Sequence, residues 1–181
     1  MAYPEGLLKT RAVIRPGEYA VIPPEGRVRN VIPGIEGCNM SIIASPKLGA
    51  SFVQYVGTAL PGHEAEAVFG NTATMEERIY EDMANVFIRD LLPTHLGFDM
   101  NMHTLSFDPA GCHPFVETHV QEHGAYMLEG EGIYLLGAEW IQVQKEDFIF
   151  FGPYTPQAVY ATGRGRLTYI YSKDCNRDVA L

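Results

Sequence analysis

Glu117, His119 and His123 fall within seven consecutive positions of "FVETHVQEHG", and this trio is where the sequence could do chemistry. A carboxylate oxygen and neutral imidazole nitrogens all donate to a divalent cation. On a helix, positions 117 and 119 would lie on nearly opposite sides, whereas residues of one parity share a face of a strand. Glu117 and His119 are therefore expected on one strand face, with His123 following across a bend marked by Gly124. The flanking Phe115, Val116, Val120, Tyr126 and Leu128 suit a buried sheet. Burying a carboxylate and two imidazoles without partners is costly, and one metal ion would compensate all three. Local pairing of the glutamate with the histidines on a solvated face is the competing account, and spacing alone leaves both open.

The elements that must position the trio read as strands. From residue 100 the chain runs "MNMHTLSF", "FVETHV", "AYMLEG", "GIYLLG", "EWIQVQ", "FIFFG", "QAVYAT" and "LTYIYS", separated by turn sequences such as "DPAG", "KED", "PYTP" and "GRGR". Short strands with regular Gly, Pro and Asp punctuation indicate an antiparallel sandwich or barrel. Residues 10–60 have the same character. Between them "GHEAEAVFGNTATMEERIYEDMANVFIRDL" lacks alternation and is more charged. It is expected to be a linker with one short helix over 74–84, capped by Thr74 with Glu77 three residues on. The division is thus a partial N-terminal β segment (1–61), a linker (62–91) and a C-terminal barrel (92–181).

Composition narrows the function classes. Hydrophobic residues make up 46% and charged residues 19% of the 181, as in a compact protein with a sizeable core. A net charge of −9 argues against a nucleic-acid or anionic-membrane surface as main partner. No window is apolar enough to cross a bilayer, and the opening residues carry no long apolar run, so neither signal peptide nor lipid anchor is expected. Cys38, Cys112 and Cys175 are too few and too scattered for a disulfide framework or a CxxC site, which points to a reducing cytoplasm.

The trio also resembles the first motif of the cupin barrel, G-x5-H-x-H-x3-4-E-x6-G. Gly111, Glu117, His119, His123 and Gly130 reproduce its intervals, with glutamate and histidine exchanged. That resemblance implies an all-β, antiparallel double-stranded β-helix (jelly-roll) barrel. Where the second cupin motif carries a histidine, "EDFIFFGPYTPQAVYATG" has Gln157, whose amide oxygen can serve a hard cation. Two oxygens and two nitrogens favour a six-coordinate ion such as Mn²⁺, with Fe²⁺ or tetrahedral Zn²⁺ as alternatives.

With "EHGAYMLEGEGIYLLG" and the closing "LTYIYSKDCNRD", this permuted set resembles the (S)-ureidoglycine aminohydrolase family of two-barrel cupins. The resemblance implies hydrolytic deamination of (S)-ureidoglycine to ureidoglycolate and ammonia, in allantoin and purine breakdown. It implies Glu117, His119, His123 and Gln157 as Mn²⁺ ligands. It further implies that Glu117, Gln157, Tyr169, Lys173 and Tyr134 contact substrate, with Glu117, Tyr169 and Lys173 taking part in catalysis. His95, His103 and His113 match no ligand position and are expected to be structural. A homo-oligomer acting on a small molecule is also expected. Other Mn- or Fe-dependent cupin isomerases or dioxygenases, and a non-catalytic binding cupin, are the competing functions.

One departure is large: most of the first barrel has no counterpart after "GASFVQYVGTALPG". Either the chain is shortened, leaving orphan strands that must find partners, or the sequence has been closed up over a missing segment. The second account predicts a Cα separation well beyond ~3.8 Å near residues 61–67.

Overall fold

The computed structural model describes residues 11–32, 37–60, 74–92 and 100–175. The junction near residues 61–67 and His95 lie outside them. Fourteen strands account for nearly all of the regular structure described. The N-terminal part contributes β1 (Val13–Arg15), β2 (Tyr19–Ile22), β3 (Arg29–Asn30), β4 (Cys38–Ala44) and β5 (Gln54–Ala59). Then follow β6 (Arg78–Ile79), β7 (Val86–Asp90), β8 (Met100–Phe107), β9 (His123–Glu129), β10 (Glu131–Leu136) and β11 (Glu139–Gln144). The last three are β12 (Phe148–Phe151), β13 (Gln157–Ala161) and β14 (Leu167–Asp174).

An eight-stranded sheet runs β1-β2-β12-β9-β14-β8-β7-β6, every described pairing antiparallel. A three-stranded sheet, β11-β10-β13, contributes to the same main core. That core includes Phe107, Met127, Leu136, Phe151, Val159 and Leu167, all essentially without solvent contact. The architecture is the all-β, antiparallel one expected.

Two expected elements differ. Residues 74–84, expected to carry a short helix, instead lead into the β6–β7 hairpin, which extends the large sheet beside β8. Its turn uses left-handed conformations at Glu81, Asp82 and Asn85, so no glycine announces it. Residues 115–120, expected as a strand, form none. This segment runs antiparallel to β13 through isolated bridges at Cys112–Tyr160 and Glu117–Gln157, and the register slips by two residues between them. Pro114 lies in that slip and has no N–H to give to a ladder.

The strand β12, "FIFF", is buried on both faces, which explains its unbroken apolar run. Ile149 and Phe151 enter the main core. Phe148 and Phe150 face a second core with Ala20, Ile43, Ala44 and Ala50, contributed by the N-terminal segment. Phe52 meets Phe150 edge-on at 6.2 Å. At Gly124 the approach is so close that an added Cβ would sit 2.5 Å from Gln54 Oε1 and 2.7 Å from the Phe148 ring. The segment β1–β5 therefore seals the outer face of the strands that carry the histidine motif. Phe150→Ala is expected to cost about 3–5 kcal/mol, the usual range for a buried phenylalanine. Urea denaturation checks this; an unchanged midpoint would show that the N-terminal sheet does not pack there.

Candidate metal centre and active site

The segment 111–123 and the strands β9, β10, β13 and β14 converge on one cavity of about 400 Å³, its mouth included. The four candidate ligands, Glu117, His119, His123 and Gln157, all line it, as do Tyr134, Tyr169 and Lys173. Each arrives by a definite local cause. Glu117 and Gln157 are paired by reciprocal backbone hydrogen bonds of 3.0 Å, so their side chains start from adjacent backbones. His123 opens β9, opposite Lys173 in the register with β14. Its ring stacks on Phe151 at 4.0 Å and 13°. On β14, Tyr169, Tyr171 and Lys173 share parity and hence one face, which is the cavity wall.

Three of the ligand candidates lie side by side on this wall. Gln157 Nε2 lies 3.0 Å from His119 Nε2, and the His119 and His123 rings are 5.2 Å apart. Among the described residues no three His, Cys, Asp or Glu side chains yet close on a single point. The donor chemistry nonetheless fits a divalent cation: one carboxylate, one amide oxygen and two imidazoles on a common wall. The His119 lone pair that accepts from Gln157 is the one an ion would take, and rotation of the Gln157 amide turns its oxygen to the same place.

Charge follows burial. Burial raises the Glu117 carboxyl, Lys173 opposes this, and Glu81 pushes it further up. Burial, with help from His119 and Lys173, holds His123 well below the ordinary histidine range, so it is neutral and able to ligate. Burial lifts the Tyr169 hydroxyl far above its usual range, and its neighbour Tyr134 adds to this, so both remain protonated donors at neutral pH.

Four lining residues were not among the sequence candidates: His113, Tyr80, Tyr171 and Leu105. His113, expected to be structural, stands with its Nδ1 3.7 Å from Glu117 Oε1. Tyr80 comes from the hairpin that replaces the expected helix. Their only sequence signal was the position of His113 two residues after the motif glycine. His103, by contrast, lies outside the cavity lining and pairs with Asp90 at 2.7 Å.

Both histidines bear on acid stability. Burial lowers His113 to about 4 and, against the pull of Asp90, also lowers His103. The unfolded chain therefore takes up protons that the folded chain refuses as pH falls below about 6.5. Stability is full above that pH and declines toward pH 4, by roughly 3 kcal/mol from His113 alone. Urea midpoints measured with chelator present should fall between pH 7.5 and 5; a flat profile would show that these rings charge freely in the folded state.

No family model matches the chain. It is 37% identical to (S)-ureidoglycine aminohydrolase of Escherichia coli (strain K12), over 252 aligned positions covering 99% of this chain and 97% of that protein. Because 252 exceeds the 181 residues present, at least 71 aligned positions have no counterpart here. The Arabidopsis thaliana protein of the same name is 37% identical over 126 residues, which is 69% of this chain but only 40% of that one. Among solved structures, E. coli protein Ylba superposes with a TM-score of 0.73 at 34% identity, covering 99% of this chain and all of that one. An RmlC-like cupin from Shewanella frigidimarina gives a TM-score of 0.51 at 15% identity over 62% of this chain and 95% of its own, a likeness of fold alone.

Proposed function

The chain belongs to the (S)-ureidoglycine aminohydrolase family, and from that premise we propose that its cavity catalyses the Mn²⁺-dependent hydrolysis of (S)-ureidoglycine to (S)-ureidoglycolate and ammonia, a step of allantoin and purine breakdown. The observation that supports this most is the gathering of a carboxylate, two imidazoles, an amide and one lysine on a single wall. Glu117, His119, His123 and Gln157 would hold the ion, which when bound supplies a fixed positive charge that anchors and orients the substrate.

The remaining chemistry belongs to the chain's own groups. Lys173 offers an ammonium to the substrate carboxylate, with the Tyr169 hydroxyl as a further donor. Glu117, whose carboxyl burial raises, is the group proposed to move the proton. It passes that proton to the departing amine and takes one back from the attacking water, so one water is consumed and one ammonia leaves. Tyr134, with Tyr169, limits the space beside the reacting carbon.

Among the described residues no helix is long and apolar enough to cross a membrane. We place the enzyme in the cytoplasm, acting on a small molecule, as a homo-oligomer whose contacts cover exposed strand edges. The test is ammonia release from (S)-ureidoglycine by the Mn²⁺-loaded protein, followed alongside oxygen consumption. Ammonia without oxygen uptake supports the aminohydrolase; oxygen uptake would indicate a dioxygenase, and neither would indicate a binding protein.

A further inference from the structure

His113 is a cavity side chain that the mechanism above leaves without a task. It is 8% exposed, and its ring is held by Phe107 edge-on at 5.4 Å, Phe115 stacked at 6.1 Å and Tyr80 at 6.3 Å. Its backbone N–H donates to Val159 O at 3.1 Å, so the main chain is fixed as well. Yet its Nε2 is buried with no hydrogen-bond partner. An orphaned polar atom in so well-packed a place needs an explanation, and a ligand that completes it is one.

The tautomer follows from the neighbour. A neutral imidazole has one N–H to place. Nδ1 is the nitrogen facing Glu117 Oε1, at 3.7 Å, so the carboxylate favours the proton there. Nε2 is then left as an acceptor in search of a donor.

The cavity is also polarised along its length. Lys173 faces His123 in the β9–β14 register, whereas His113 stands beside Glu117 with its Nδ1 3.7 Å from Oε1. Glu117 stands between a cationic end and a neutral, accepting end. (S)-Ureidoglycine has the matching order: a carboxylate, a central reacting carbon, and a ureido group rich in N–H donors. We infer that His113 Nε2 accepts an N–H of the substrate's ureido group and so selects for the amide-bearing end. This rests on the aminohydrolase reading and adds a specificity-determining residue to it.

The test uses two ligands of nearly equal shape, N-carbamoylglycine and N-acetylglycine, which differ by an NH₂ in place of a CH₃. Calorimetric titration of the Mn²⁺-loaded full chain should show the carbamoyl compound bound about tenfold or more tighter. His113→Phe, which keeps the aromatic packing and removes the acceptor, should bring the two dissociation constants within about twofold. His113→Gln, whose amide oxygen reaches near the Nε2 position, should restore the preference, and Lys173→Ala should weaken both ligands alike. If His113→Phe does not fold, His113→Leu takes its place. A preference that survives loss of the acceptor, or its absence from the wild type, overturns the inference. If the wild type releases ammonia, that failure is confined to His113. If it neither binds these ligands nor releases ammonia, the aminohydrolase reading falls with it.

Discussion

His123→Ala is expected to lower bound metal and ammonia release together, each by at least about a hundredfold. Removing a hydrogen-bond partner of a metal-bound histidine commonly costs 10- to 100-fold, so removing the histidine itself should cost no less. The ring is pinned on Phe151 at 4.0 Å, and the facing residue on β14 is a lysine. His119→Ala should behave alike, because its Nε2 stands at the meeting point with Gln157. Metal content after dialysis and ammonia release in the same preparation check this. Activity that persists after the metal is lost would separate the ion from the reaction.

Lys173→Ala should give the complementary pattern, retaining metal while turnover collapses. Its partner would be the substrate carboxylate, in a cavity where burial already raises a protein carboxyl. Removing one member of a buried, hydrogen-bonded charge pair costs about 2–5 kcal/mol, or roughly 30- to 5,000-fold in kcat/KM. Full activity in this variant would remove Lys173 from the site. The two substitutions thus separate holding the ion from holding the substrate, although Lys173 and His123 are register partners.

The parts of the fold that could be read from sequence are those where local chemistry and tertiary pairing agree. The turns "KED" and "GRGR" lie between β11 and β12 and between β13 and β14, and "LTYIYS" opens β14 at Leu167. There the alternation on the strand and the turn residues beside it point to the same answer. The hairpin at 78–90 was hidden because its turn is built on Glu81, Asp82 and Asn85, and because "TMEE" mimics a helix cap. What decides the hairpin is the pairing of β7 with β8, a contact that the hairpin's own local pattern does not encode. The reverse happened at 115–120. Alternation suggested a strand, but Phe115 and Val116 face solvent and the register slips around Pro114.

The site divides along the same line. The spacing of Glu117, His119 and His123 is a local pattern, and Gln157 follows from its place after "FGPYTP". His113 and Tyr80 carry no such pattern. One reaches the cavity because its segment arches beside β13, the other because a hairpin folds back beside β8. The outward packing of Phe148 and Phe150 was equally illegible. A run of four apolar residues shows that a strand is buried on both faces, but not that residues 19–52 cover one of them.

Anomalous diffraction from crystals soaked in Mn²⁺ tests the centre of this account most directly. A single peak among the side chains of Glu117, His119, His123 and Gln157 is the predicted result. A peak elsewhere in the molecule, or Gln157 turned away with the imidazoles bare, would contradict it.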